Sequence, residues 1–94
     1  MKYIDDERYA SLFTAIRIFE KGWGKQKVIA GLQRHGIHEE IILKTVSEIN
    51  ENDYRSMLEK IILKQKKLGK SKEKIYRFCA ARGFEAEQIE EILK

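Results

Sequence analysis

The feature that most constrains the fold of this chain is an internal repeat. Shifting the sequence by about 47 residues superposes eight identical residues and several apolar positions, and a period of this length is typical of small helical repeats. Such repeats complete their hydrophobic cores by stacking on a neighbour, which favours a binding scaffold over an enzyme. The identical pairs are Asp6/Asp53, Arg8/Arg55, Gly22/Gly69, Lys25/Lys72, Lys27/Lys74, Gly36/Gly83, Glu40/Glu87 and Ile42/Ile89.

The composition limits the classes of protein to which the chain can belong. Its 94 residues are 43% hydrophobic and 36% charged and include no proline, which suits a helical protein with a well-hydrated surface. The single cysteine, Cys79, rules out an internal disulfide and fits a reducing compartment. No apolar run approaches the roughly 20 residues needed to cross a bilayer, and no signal peptide is visible. We therefore expect a cytoplasmic location and no membrane partner.

The spacing of apolar residues predicts an all-α fold made of two tandem three-helix repeats, with six helices in total. We place the first repeat at residues 1–50 and the second at residues 51–94. The first helix is predicted over residues 5–21, and its buried stripe is predicted to consist of Tyr9, Leu12, Phe13, Ile16 and Phe19 or Glu20.

A glycine turn is predicted after the second helix of each repeat. Gly36 and Gly83 stand where a helix stop requires a left-handed backbone, which glycine adopts without steric cost. In such a stop an apolar residue after the glycine contacts one near the end of the helix. The predicted contact pairs are Leu32 with Ile37 and Cys79 with Phe84.

No set of residues has the spacing of a metal or catalytic site. His35 and His38 could be metal ligands, but no third ligand is close in sequence, so we favour a helix end and a helix start. The periodicity of the second helix places His35 on its buried face beside Val28 and Leu32.

The other reactive side chains also have simpler interpretations. Cys79 lies on an apolar stripe, which indicates an inert core thiol rather than a nucleophile. Glu90 and Glu91 are typical of a hydrated helix face rather than of paired catalytic carboxylates. We therefore predict no enzymatic activity, no catalytic or metal-binding residues, no cofactor and no small-molecule substrate.

Positive charge is distributed unevenly, although the formal net charge is only +4. Nine basic residues lie between Lys60 and Arg82, and only Glu73 opposes them there. Such a basic band can contact a phosphate backbone or an acidic protein groove, and we favour a binding surface over a merely hydrated lysine face. The predicted partner-binding residues are Lys27, Arg34, Lys60, Lys64, Lys67, Lys70, Lys74 and Arg77.

Several segments together resemble one known family. The run Tyr3-Ile4-Asp5-Asp6-Glu7-Arg8-Tyr9-Ala10 is similar to the signature of the RecX regulatory proteins. The helix with Lys27-Val28-x-x-x-Leu32 and the Gly36-Ile37 turn before an acidic helix start also fit this family. The closing run over residues 74–84 is similar to the last repeat of the family. The resemblance covers nearly the whole chain.

This resemblance implies a function. Proteins of the family are helical repeat proteins that bind filaments of the recombinase RecA and inhibit its ATPase and strand exchange, in DNA repair, recombination and the SOS response. The implied partner is therefore the RecA filament, with DNA contacted directly or through the filament. The alternative is a helical module that binds DNA itself through the Lys60–Arg82 band.

The resemblance also implies which repeats are present. The family has three three-helix repeats, and the signature begins the second, whereas here it stands at the start of the chain. The two repeats are thus expected to correspond to the second and third of the family. We expect either a fragment that lacks a first repeat or an unusually short member.

Overall fold

The structure is a computed structural model that describes residues 2–94, with side chains described from Asp6 onward. The side chains of Tyr3, Ile4 and Asp5 in the family-like signature therefore lie outside the described residues. Residues 2–94 form six helices and no strand, which confirms the all-α prediction. The helices are α1 (Lys2–Phe19), α2 (Lys25–Arg34), α3 (Glu39–Ser47), α4 (Glu51–Lys67), α5 (Lys72–Ala81) and α6 (Ala86–Leu93).

The first half of the chain (α1–α3) and the second half (α4–α6) follow the same plan. Helices α2 and α5 have the same length and begin at the equivalent residues Lys25 and Lys72. Within residues 2–94 every residue with a left-handed backbone is a glycine, and these glycines fall into two equivalent pairs. The pairs are Gly22 with Gly69 and Gly36 with Gly83.

The glycine turn predicted in each half is confirmed. Gly36 and Gly83 have φ angles of 77° and 97°. Each turn has the two backbone hydrogen bonds of a Schellman stop, which satisfy carbonyl groups that the helix end leaves without partners. The N–H groups of Gly36 and Ile37 donate to the carbonyls of Gln33 (3.0 Å) and Leu32 (3.1 Å), and those of Gly83 and Phe84 donate to Ala80 (3.0 Å) and Cys79 (3.2 Å).

The prediction of which α1 side chains are buried is partly wrong. Phe13 is buried as predicted, but Tyr9, Leu12 and Phe19 are 42%, 61% and 40% exposed. The helix has apolar side chains around most of its circumference, so spacing alone does not select the face that contacts α2, α3 and α4. The residues buried with Phe13 are Ala10, Thr14 and Ile18.

The two halves are joined by backbone hydrogen bonds between the start of α2 and the glycine turn after α5. The N–H of Gly24 donates to the carbonyl of Arg82 at 2.6 Å, and that of Gln26 donates to the carbonyl of Gly83 at 3.0 Å. Gly24 is the N-cap of α2 and has no side chain to cap the helix. The second half of the chain therefore provides acceptors for amides that the start of α2 would otherwise leave unsatisfied. We call this contact the helix junction.

The lack of space for a side chain, rather than the backbone conformation, requires glycine at position 24. Its φ of −86° is one that any residue adopts. However, a Cβ atom on Gly24 would lie 2.2 Å from the carbonyl carbon of Gly83 and 2.2 Å from the nitrogen of Phe84. A Cβ on Gly83 would lie 2.5 Å from the nitrogen of Lys27. The two glycines thus allow the backbones of the two halves to approach closely.

Tyr54 completes the helix junction from α4. Its ring is fully buried, and its hydroxyl accepts a hydrogen bond from the N–H of Lys25 and donates one to the carboxylate of Glu85, both at 2.9 Å. Burial is the main cause that raises the pKa of the phenol far above its ordinary value, and the nearby charge of Glu85 acts in the same direction.

A single hydrophobic cluster runs through both halves of the molecule. Phe13, Leu32 and Ile42 belong to it in the first half, and Leu58 and Ile89 belong to it in the second. The molecule is elongated, with principal extents of 50 × 22 × 20 Å. This shape exposes a long surface for a chain of this size, because among the described helices α1 and α4 are the pair that packs across the boundary between the halves.

The glycine turns allow a matched test of the helix junction. Gly36→Ala places a Cβ in open space, so we expect only the cost of a left-handed alanine, roughly 1 kcal/mol. Gly83→Ala adds a collision with the backbone of Lys27, so we expect it to reduce the free energy of unfolding by at least about 1 kcal/mol more than Gly36→Ala. Urea unfolding followed by circular dichroism measures both variants. Equal losses would contradict the close backbone approach.

Tyr54 gives the junction a dependence on alkaline pH. Below the ordinary tyrosine pKa of 10.0 the phenol is neutral in both states. Above it the unfolded chain ionises while the folded chain retains the proton, so stability is lost as pH rises. We expect Tyr54→Phe to cost about 1–2 kcal/mol at neutral pH because the two hydrogen bonds are lost.

The pH dependence is measured as the difference in unfolding free energy between the wild type and Tyr54→Phe. Using this difference cancels the titration of the other tyrosines and of the lysines. The difference should stay constant from about pH 8 to about pH 9 and shrink as pH rises above the ordinary tyrosine pKa of 10.0 towards about 11. A difference that stays constant over this range would show that the Tyr54 hydroxyl is not the group responsible.

Candidate partner-binding surface

Most of the predicted partner-binding residues are exposed on α4, on α5 and in the turn between them. Lys60, Lys64 and Lys67 lie on one side of α4, because residues three and four apart are neighbours on a helix surface. Lys70 is exposed in the turn that follows α4. Lys74 and Arg77 are exposed on α5, which packs against α4.

Two of the predicted residues lie apart from this group. Lys27 is half-buried at the start of α2, and its ammonium group lies 4.5 Å from the centre of the Trp23 ring. Arg34 is exposed in the last turn of α2, about 13 Å along the helix from Lys25 at 1.5 Å per residue. Since α2 begins at the helix junction, Arg34 lies at the end of α2 that points away from the second half.

The lysines of the group carry charge that the described residues do not neutralise. Arg77 pairs with Glu73 at 3.1 Å, but this pair is about three-quarters exposed and therefore weak. Among the described side chains, Lys60, Lys64, Lys67, Lys70 and Lys74 form no ion pair. The pairs that do form are Lys25–Glu51, Glu7–Lys44, Arg55–Glu59, Arg55–Glu91 and Glu73–Arg77.

A groove that the sequence did not indicate lies beside these lysines, where α1, α4 and α5 meet. It consists of two adjoining depressions of about 280 and 270 Å³ that share Met57. It crosses the boundary between the two halves of the chain and combines apolar and basic side chains. We call it the junction groove; it is lined by Phe19, Glu20, Lys21, Gly22, Asp53, Ser56, Met57, Lys60, Ile61, Lys64, Gln65, Phe78 and Arg82.

Arg82 shapes one wall of the junction groove. Its guanidinium donates a hydrogen bond to the carbonyl of Lys21 at 2.7 Å and lies 4.8 Å from the centre of the Phe78 ring. These contacts fix the side chain across the boundary between the halves, since a planar guanidinium both donates and stacks. The sequence signal that could have indicated the groove was the excess of apolar residues on α1, of which Phe19 remains exposed.

The reactive side chains named from the sequence have structural surroundings. Burial raises the pKa of the Cys79 thiol to about 11, which keeps it protonated and unreactive near neutral pH. The Nδ1 atom of His38 accepts a hydrogen bond from the N–H of Glu40 and caps α3. The prediction that His35 lies on the buried face of α2 is wrong, because its side chain is exposed. It lies at the end of α2, and the centre of its ring is 5.5 Å from that of Tyr9.

Two negative findings apply to the described part of the chain. Within it, no three His, Cys, Asp or Glu side chains are close enough together to hold a metal ion. None of the helices described there has the length and the apolar composition needed to pass through a bilayer.

Known proteins resemble this chain over nearly its whole length. Residues 5–45 match the family described as RecX, second three-helix domain. "Regulatory protein RecX" of Clostridium acetobutylicum is 33% identical over 102 residues, covering 98% of this chain and 47% of the relative. The proteins of the same name from Clostridium perfringens and Caldanaerobacter subterraneus subsp. tengcongensis are 28% and 26% identical, each covering 97% of this chain and 46% of the relative.

The matches cover nearly all of this chain but only part of each relative. The chain spans about half the length of the curated relatives that it matches. No solved structure matches the chain.

Proposed function

The chain belongs to the RecX family, and from that premise we propose that it binds the RecA recombinase filament and inhibits its ATPase and strand exchange. The observation that carries the proposal is the match of residues 5–45 to the second three-helix domain of RecX. In the same proposal α4–α6 correspond to the third domain of the family. Since RecA acts on DNA inside the cell, the regulator would work in the cytoplasm, in DNA repair and recombination.

The proposed mechanism is occupancy of a surface on the filament rather than chemistry. An elongated molecule of 50 × 22 × 20 Å can lie along a groove and contact neighbouring subunits. Its unpaired lysines Lys60, Lys64, Lys67, Lys70 and Lys74 would face acidic groups of the partner. A filament presents many identical sites, so moderate affinity at each one is sufficient to limit growth.

Direct binding of DNA is the second candidate function. The same lysines could contact phosphates, and the favouring observation is that α4 and α5 present them without acidic partners among the described residues. Exposed aromatic rings on which bases could stack are scarce beside these lysines. Phe78 is half-buried with Arg82 over its ring, and Phe19 is the most exposed ring of the junction groove.

Removing charge from α4 and α5 tests the proposal. We expect the fourfold variant Lys60→Gln, Lys64→Gln, Lys67→Gln and Lys74→Gln to fold normally, because all four side chains are exposed. It should inhibit the ATPase of RecA on single-stranded DNA at least about tenfold more weakly than the wild type. Lys44→Gln with Lys94→Gln removes exposed charges elsewhere and should inhibit like the wild type.

The same proteins distinguish the filament from DNA. If DNA is the partner, the wild type should bind bare single strands with a steep salt dependence, and each lost phosphate contact should reduce that slope by about 1. Equal affinity for bare DNA and for RecA-coated DNA at physiological salt would contradict the filament proposal. Full inhibition by the folded fourfold variant would show that these lysines are hydrated surface residues that do not contribute to binding.

A further inference from the structure

The junction groove has the dimensions of a site for a short polypeptide segment. Its lining runs along α4 from Asp53 to Gln65, a distance of about 18 Å at 1.5 Å per residue. A third depression of about 270 Å³ between α1, α3 and α4 shares Phe19 and Asp53 with it and extends it further. A helical segment of about 12 residues has the same length as the part along α4.

The floor of the groove is apolar and partly open to solvent. In one depression Phe19 is 40% exposed beside the half-buried Met57, and in the other Met57 is accompanied by the half-buried Ile61 and Phe78. Apolar side chains at such a site favour a partner that also presents apolar side chains, because burying both removes apolar surface from water. Phosphates and sugars would gain nothing from this floor, and Phe19 is its most exposed ring on which a base could stack, so its mainly half-buried apolar composition favours a protein partner over a nucleic acid.

The rim of the groove is mainly basic. Lys21, Lys60 and Lys64 form no ion pair among the described residues, and Arg82 adds a fourth positive charge. Glu20 and Asp53 are the acidic side chains of the lining. Asp53 lies in the first turn of α4, where the positive end of the helix dipole offsets its charge. The side-chain charge along α4 changes from the carboxylate of Asp53 to the ammonium groups of Lys60 and Lys64, so the field becomes more positive towards Lys64, although the helix dipole reduces this difference.

We propose that the junction groove binds an acidic amphipathic segment of the protein partner, about 12 residues long, with its apolar side chains on Phe19, Met57 and Ile61 and its carboxylates at Lys60 and Lys64. The proposal rests on the proposed function in that the segment belongs to the protein that the chain regulates. It adds which surface is used and which chemistry that surface recognises. The direction of the field sets the orientation, with the more acidic end of the segment at Lys64.

Labelled synthetic peptides test the groove without the filament. The probe is a fluorescein-labelled helical peptide of about 16 residues with leucine at every third or fourth position and glutamate between them. One comparison peptide has glutamine in place of glutamate, and another has serine in place of leucine. Fluorescence anisotropy with the whole chain should show the acidic amphipathic peptide binding at least about fivefold more tightly than either comparison.

Paired variants locate the bound peptide. Lys60→Gln with Lys64→Gln should weaken binding roughly fivefold, whereas Lys44→Gln with Lys94→Gln should not. Phe19→Ala should weaken binding roughly tenfold, whereas Leu63→Ala, an exposed apolar residue of α4 outside the groove, should leave it unchanged. Circular dichroism melts verify that each variant is folded.

Several results would overturn the groove proposal. One is no binding of the acidic amphipathic peptide at millimolar concentration, and another is an equal loss of binding in the groove and control variants. A third is that the wild type binds a labelled single strand of DNA and that Phe19→Ala weakens this binding as much as it weakens binding of the peptide. That third result would assign the groove to nucleic acid.

Assays with RecA separate this proposal from the proposed function. Peptide binding in the groove without any inhibition of the RecA ATPase by the wild type would support the groove and contradict the proposed function. Inhibition of RecA that is unaffected by the groove variants, together with no peptide binding, would overturn the groove and leave the proposed function standing.

Discussion

The contact between the start of α2 and the turn after α5 is the interaction on which the rest of the structure depends. At this contact the amides of Gly24 and Gln26 are satisfied by carbonyls of the other half rather than by a capping side chain. A buried amide without a partner costs free energy comparable to a lost hydrogen bond, so the two halves are held in one relative orientation. That orientation brings Phe19 of α1 beside Met57 of α4 and creates the groove between them.

Local features of this fold could be predicted from the sequence, and features that depend on distant residues could not. The repeat and the positions of Gly36 and Gly83 gave the number of helices and two turns, because a helix stop depends on residues within one turn of it. The prediction of the buried face of α1 is partly wrong. Leu12 and Phe13 are both strongly apolar, and only the packing of the neighbouring helices determines that Phe13 is buried and Leu12 is not. The Gly24 contact joins residues 59 positions apart and the groove joins Phe19 to Met57, 38 positions apart, so no local pattern shows how these residues meet.

The candidate site shows the same division. Sequence alone correctly predicted that Lys60 and Lys64 are exposed, because the helical period separates them from Leu58 and Ile62. It could not show that the cation of Lys27 lies against an aromatic ring, because that contact depends on how α2 meets the preceding loop. Basic residues in this chain thus divide into those that stabilise the fold and those that remain hydrated and available to a partner.

The equivalent of Gly24 in the second half is Ser71, and this single difference gives the pair of repeats a direction. Ser71 has nearly the same backbone conformation, but its own hydroxyl caps α5 by accepting from the N–H of Lys74 at 3.2 Å. Its Cβ occupies the space that must stay empty where Gly24 meets Gly83. A further three-helix unit could not attach to α5 in the way that the second half attaches to α2. The close backbone contact is therefore possible at the start of α2 and not at the start of α5, and the choice between glycine and serine at a helix start makes the two repeats unequal.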